Sequence, residues 1–149
     1  MPRYETLQDV CREAMVAGWL GQFLGAVPVK TGAFSPHDYL LQKDGKTSHV
    51  IEIKCRSGVR KYKDYMVSAE KWHNLIAAGL EHKCPALLVL YDETDSRIYA
   101  VKAASANVSH LSIIGRNDRP EQPPEPSVVI EWGKFKSIAI IKRKVSNVG

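Results

Sequence analysis

The chain has 149 residues, 44% hydrophobic and 25% charged, a globular balance that suits one domain with a buried core rather than a disordered polypeptide. No apolar run approaches the ~20 residues of a membrane span, and Arg3, Glu5 and Asp9 stand where a secretory segment would be apolar, so a cytoplasmic protein with no membrane partner is expected. A formal net charge of +5 favours an anionic partner such as nucleic acid, while Cys11, Cys55 and Cys84, odd in number and without a Cys-x-x-Cys pair, indicate neither disulfides nor a structural zinc.

Residues 6 to 24 are predicted to form a helix, because Leu7, Val10, Cys11, Ala14, Ala17, Leu20 and Leu24 recur at spacings of three and four. Thr6 with Asp9 offers a capping-box-like start and Gly25 a stop. Glu13 falls on or beside the apolar face, as a metal ligand or as a salt-bridge partner at the rim. Val27 to Lys30 reads as a short strand, followed by a turn-rich segment through Pro36 and His37.

Asp38 to Gln42 and His49 to Lys54 then flank Lys-Asp-Gly-Lys, a hairpin signal. In the second strand Ile51, Ile53 and Cys55 alternate with Val50, Glu52 and Lys54, so the apolar set faces one way and the charged pair the other. A two-residue Asp44-Gly45 turn would pair Lys43 with Lys46 and set Asp38 opposite Ile51, on the wrong face for Glu52. A three-residue loop with Gly45 left-handed would bring Asp38 and Glu52 onto one face, so a site built from both predicts the odd loop.

Arg56, Arg60, Lys61 and Lys63 follow as a basic run with no acid until Asp64. Tyr62 and Tyr65 are interleaved with it, where they could stack on bases. Ser68 can cap a helix through about residue 82 with Trp72, Leu75, Ile76 and Leu80 as its buried stripe, and Lys71 in its first turn. Ala86 to Tyr91 is a continuous apolar run of the kind a doubly covered central strand has. Asp92 to Ser96 reads as a turn, Arg97 to Lys102 as a strand and residues 103 to 115 as a short helix. Val128 to Trp132 and Ile138 to Lys142 read as late strands, a terminal hairpin across Gly133 to Lys136. A second basic cluster, Lys134, Lys136, Lys142, Arg143 and Lys144, lies here. Trp19, Trp72 and Trp132 are expected in the core, and His37, His49 and His73 have no spacing that marks a general base.

Two carboxylates can hold a hard divalent cation and a lysine beside them can neutralise charge on a phosphate, so Asp38, Glu52 and Lys54 together point to metal-dependent phosphodiester chemistry. The alternative is a strand-entry turn residue followed by an exposed charged face. A helix carrying an acid, Pro36-His37-Asp38 opening a strand, Glu52-Ile53-Lys54 ending the next, a Ser-capped helix and an apolar strand resemble the PD-(D/E)xK nuclease superfamily over about residues 6 to 102. His37 stands between the motif's proline and its aspartate.

The resemblance implies an α/β fold, a central mixed β-sheet flanked by helices with a restriction-endonuclease-like αβββαβ core. It implies a single nuclease domain over 1–149, with residues 103–149 as a C-terminal extension. Asp38 and Glu52 would be metal ligands with the Ile53 carbonyl, Lys54 would orient the attacking water, and Glu13 would be the helix-1 acid near the metal. Mg²⁺ is the implied ion, with Mn²⁺ able to substitute. Arg56, Arg60, Lys61, Lys63 and Lys71 would contact nucleic acid. The expected activity is an endonuclease hydrolysing DNA, branched forms such as four-way junctions included, in the manner of a Holliday junction resolvase of DNA recombination that works as a homodimer. A non-catalytic nucleic-acid-binding module on the same fold is the alternative.

Overall fold

The computed structural model describes residues 7–32, 38–61, 63–114 and 125–140. Helix α1 (Leu7–Leu24) is followed by β1 (Val27–Lys30), β2 (Tyr39–Lys43) and β3 (Lys46–Arg56), then β4 (Asp64–Ser68), helix α2 (Ala69–His82), β5 (Ala86–Asp92) and β6 (Arg97–Lys102). The last third adds β7 (His110–Ile114), β8 (Glu125–Glu131) and β9 (Lys136–Ile140). Six strands form one mixed sheet in the order β1-β2-β3-β5-β6-β9, in which β3 and β5 run parallel and the other pairs antiparallel. A second, antiparallel sheet has the order β4-β8-β7.

The main sheet buries both faces. Val16, Ala17 and Leu20 of α1 pack on Ile51, Ile53, Val89 and Tyr91. On the other face Trp72, Leu75 and Ala78 of α2, with Val128 and Ile130 of β8, pack on Val50, Leu88 and Leu90. The apolar β5 run thus serves both layers, as its continuous hydrophobicity predicts.

Both helices end in the same way. Beyond α1, left-handed Gly25 (φ 66°) donates to Gln22 O and Ala26 to Gly21 O at 2.8 Å; beyond α2, left-handed Lys83 (φ 54°) donates to Leu80 O and Cys84 to Gly79 O at 3.0 Å. A Cβ at Gly21 would come within 2.6 Å of Ala26 O, and one at Gly79 within 2.9 Å of Cys84 O, so each glycine lets the next strand start close against its helix.

That close approach turns the buried stripe of α2 toward Trp72, Leu75, Ala78 and Gly79, leaving Leu80 exposed rather than buried as expected. In α1 the stripe leans toward Val16 and leaves Ala14 exposed. Ser68 stands at the N-cap of α2, yet its side chain makes no capping hydrogen bond, because the residue is still the last of β4. Residues 105–107 form a single 3-10 turn and 110–114 a strand, where one short helix was expected. The expected terminal hairpin is absent: the turn Trp132–Lys134 passes the chain from β8, in the second sheet, to β9, which pairs with β6 in the first. Thr6, His37, Tyr62, Lys142, Arg143 and Lys144 lie outside the described residues.

Candidate active site

The β2–β3 hairpin turns through two residues, with Asp44 (φ 53°) and Gly45 (φ 76°) both left-handed and Lys43 paired with Lys46. This corrects the three-residue loop expected above. On that turn alone Asp38 would sit opposite Ile51. The register instead slips once, since Gln42 pairs with Thr47 and Leu41 with His49. Ser48 is the extra residue, and its hydroxyl donates to Leu41 O at 3.2 Å. Beyond this bulge Leu40 pairs with Val50 and Tyr39 with Ile51, which brings Asp38 level with Glu52. The shared face survives, made by a bulge in β3 rather than by the loop. Half-buried His49 supports it through Nδ1 at 3.1 Å from Ser48 Oγ, and burial lowers its pKa.

Asp38 is fixed from both sides. Its N–H donates to Ile51 O at 3.1 Å, its own carbonyl accepts from the Thr31 N–H and hydroxyl at 2.9 and 3.0 Å, and its carboxylate Oδ2 accepts from Ile53 N–H at 2.8 Å. Because the N–H and C=O of one strand residue point to the same edge, the Ile53 carbonyl lies on the edge of β3 that Asp38 adjoins.

Glu52 and Lys54 extend from β3 toward the α2 layer, with Lys54 Nζ 3.0 Å from Glu52 Oε1. Their side chains are only 12% and 20% exposed, so solvent screens this pair weakly. Burial, and next the negative charge of Asp38, hold the Glu52 carboxyl above its ordinary pKa against the pull of Lys54 and Lys71. Burial by itself would lower the Lys54 ammonium, but Glu52 and Asp38 more than reverse it, so its pKa lies above the usual lysine value. Lys71, exposed in the first turn of α2, is pulled down by Lys54 first and burial second, opposed by Glu52 and Asp38. These four side chains therefore form one electrostatic cluster, two acids and two bases, drawn from β3, α2 and the entry to β2.

Arg56 continues the same face of β3, exposed, with its guanidinium donating to Cys55 O at 2.9 Å. Lys61 and Lys63 are exposed after it; the Arg60 side chain lies outside what is described. Tyr65 is no base-stacking platform: its ring is wedged edge-on at 6.2 Å from both Trp132 and Phe135, and burial raises its pKa while Arg56 and Lys54 oppose the shift. Trp72 is buried and Trp132 half-buried in the same core, as expected of them.

Glu13 is half-buried on α1. Its charge acts on Cys55, which shares the α1 side of β3 with Ile51 and Ile53, and beside it Arg12 bridges Glu93 at 2.8 Å. Sequence reading gave no role to Asp92, which closes β5 level with Arg56 and is 2% exposed. A buried acid has to find donors, and these come from the start of the basic loop at Gly58 and Val59. Its place at the end of an apolar run was the one signal available. Among the described residues no three His, Cys, Asp or Glu side chains gather as a metal cage.

The family model for phage PDDEXK endonucleases matches residues 1–138 of the chain. The protein belongs to that family. No curated protein matches the sequence. Among solved structures the chain is similar to Hjc of Archaeoglobus fulgidus, a Holliday junction resolvase from an archaeal hyperthermophile, with a TM-score of 0.52 and 14% identity over 86% of this chain and 88% of that one. At that identity the likeness is one of fold: a mixed sheet with flanking helices.

Proposed function

We propose that the protein is a divalent-metal-dependent endonuclease that hydrolyses phosphodiester bonds in DNA. The observation that carries this reading is the convergence of Asp38, Glu52, Lys54 and Lys71 on one face at the C-terminal end of β3. Two carboxylates close enough for Asp38 to hold the Glu52 carboxyl up are a natural seat for a cation, and all the donors offered, with the Ile53 carbonyl, are oxygens. That donor set fits a hard ion, Mg²⁺ first and Mn²⁺ as a substitute. When bound, such an ion supplies Lewis acidity to a phosphoryl oxygen.

The chain's own part is electrostatic. Asp38, locked by Ile53 N–H, fixes one ligand position, and Glu52 fixes the second from a weakly hydrated site. Lys54, kept protonated by the two acids, is placed to orient the attacking water and to offset negative charge gathering on the phosphate oxygens as phosphorus is attacked. Lys71, Arg56, Lys61 and Lys63 supply further positive charge for neighbouring phosphates, with Arg60 as the remaining cation of the run. Glu13, on the α1 side, is read as an acid acting on the Cys55 thiol rather than as a ligand.

Branched DNA is the favoured substrate. The exposed cations offer recognition by backbone shape and charge, and the fold likeness extends to a protein described as a Holliday junction resolvase. Symmetric cutting of two strands calls for a homodimer. The test is cleavage of duplex, single-stranded and four-way-junction DNA with Mg²⁺, Mn²⁺ or EDTA, beside Glu52→Ala and Lys54→Ala. Metal-dependent cutting lost in both variants supports the reading. Binding without cutting, unchanged by either substitution, would replace it with a non-catalytic nucleic-acid-binding module.

A further inference from the structure

A carboxylate that is 2% exposed must be met by hydrogen-bond donors, and which donors meet Asp92 reveals its work. Oδ1 accepts from Gly58 N–H at 3.0 Å and Thr94 N–H at 2.9 Å, and Oδ2 accepts from Val59 N–H at 3.2 Å. The next residue adds to the hold: Glu93 N–H donates to Arg56 O at 2.8 Å, and the Ser57 hydroxyl donates to Glu93 Oε2 at 3.5 Å. Arg12 of α1 in turn steadies Glu93 at 2.8 Å. The backbone of 56, 58 and 59 is thereby bolted to the end of β5, where Arg56 and Asp92 lie level in the sheet. Gly58 turns the chain left-handed (φ 66°) and Val59, 6% exposed, plugs the loop into the core. From this base Lys61 and Lys63 stand exposed, before β4 leads the chain back to α2 and Lys71 beside Lys54.

A basic loop left loose would have to be ordered each time it met a polyanion, at an entropic cost to affinity; one held from beneath does not carry that cost. We propose that Asp92 is a positioning residue for DNA binding: its buried carboxylate pre-orders the backbone from Ser57 to Lys61 so that Arg56, Lys61 and Lys63 meet the phosphates next to the one at Glu52 and Lys54. This rests on the nuclease reading above. The Asp92 carboxylate itself touches no DNA, and its influence passes through the loop backbone.

The experiment measures the dissociation constant for a DNA duplex as a function of salt, in EDTA so that nothing is cut, together with KM and kcat in Mg²⁺ and thermal melting. The variants are Asp92→Asn, Gly58→Ala, the double variant Lys61→Ala/Lys63→Ala, and Asp92→Asn added to that double variant. Loss of two phosphate contacts makes the slope of log Kd against log salt shallower by about two, and this is expected of the lysine double variant. Asp92→Asn puts an amide nitrogen against one of the backbone N–H donors; the slope is expected to fall by about one or more, the loss to fall on KM rather than kcat, and the effect to shrink when the two lysines are already gone.

A merely structural acid would lower the melting point and leave the slope where it was. An unchanged slope in Asp92→Asn beside a shallower one in the lysine variant overturns the proposal while the nuclease reading stands. An unchanged slope in the lysine variant removes the loop from DNA, and the proposal with it. Should Asp92→Asn fail to fold, Gly58→Ala decides, since a Cβ there strains the left-handed turn but meets only the Lys61 side chain, at 3.6 Å and beyond. A shallower slope in that variant supports the proposal and an unchanged one overturns it.

Discussion

Toward α1, β3 turns Ile51, Ile53 and Cys55; toward α2 it turns Val50, Glu52, Lys54 and Arg56. One face of the strand is dry and apolar at full burial of both isoleucines, and the other passes from core at Val50 to paired charges within two residues. The same backbone serves both, so a single strand acts as the pivot between stability and chemistry. A shift of one residue in its register would exchange the two sets, which is why the Ser48 bulge matters more than any one side chain near it.

The largest effect should come from the charged face. Glu52→Gln and Lys54→Ala are each expected to lower metal-dependent cleavage by on the order of 10²–10³-fold or more, with the protein still folded by circular dichroism. On the apolar face Ile51→Ala should do the reverse: about 2–5 kcal/mol of stability lost to the cavity, read as a lower denaturant midpoint, with kcat near wild type at temperatures where the protein stays folded. If Ile51→Ala abolished cutting without a change in stability, the division between the faces would be wrong.

Much of this division can be read in the residues themselves. The period-two alternation of 50–55, the period of α1 and the apolar run of β5 are local patterns, and local patterns survive folding. What could not be read depends on partners far along the chain. Whether Asp38 meets Glu52 hangs on where one extra residue bulges, and either Asp44-Gly45 as a tight turn or a longer loop satisfies the local sequence. Strand β4 lies inside what reads as a basic loop, because its partner β8 is about sixty positions away. The run from Val128 to Ile140 looks like a hairpin, yet its halves belong to different sheets, β8 between β4 and β7 and β9 beside β6. Asp92 looked like the first residue of a turn; only the fold gives it three backbone donors.

A smaller effect should mark the edge of the charged face. Lys71 is exposed and reaches the cluster from α2, so Lys71→Ala is expected to weaken DNA binding by roughly tenfold and to make the salt slope shallower by about one, as for a single phosphate contact. A Lys71→Ala loss as deep as that of Lys54→Ala would mean that the two lysines share one role.

The finest test concerns Glu13, the acid on the α1 side whose charge acts on Cys55. Burial, then Glu13, then Glu93 push the Cys55 thiol up to about 11 from its ordinary 9.0, with Arg12 and Arg56 opposing. Since only the thiolate is alkylated, at pH 8 Cys55 should react about a hundredfold more slowly than a thiol at its ordinary pKa, and the rate should go on climbing as pH rises toward the shifted value. Labelling followed peptide by peptide by mass spectrometry separates it from Cys11 and Cys84. Glu13→Gln removes one of the negative charges that hold the proton on, so labelling of Cys55 should quicken severalfold. If Glu13 serves the α1 face alone, Mg²⁺ changes the Cys55 rate equally in wild type and Glu13→Gln, and the variant still cuts DNA. An Mg²⁺-driven acceleration that vanishes in Glu13→Gln, joined by loss of cleavage, would instead carry this carboxylate across β3 into the metal site and redraw the boundary between the faces.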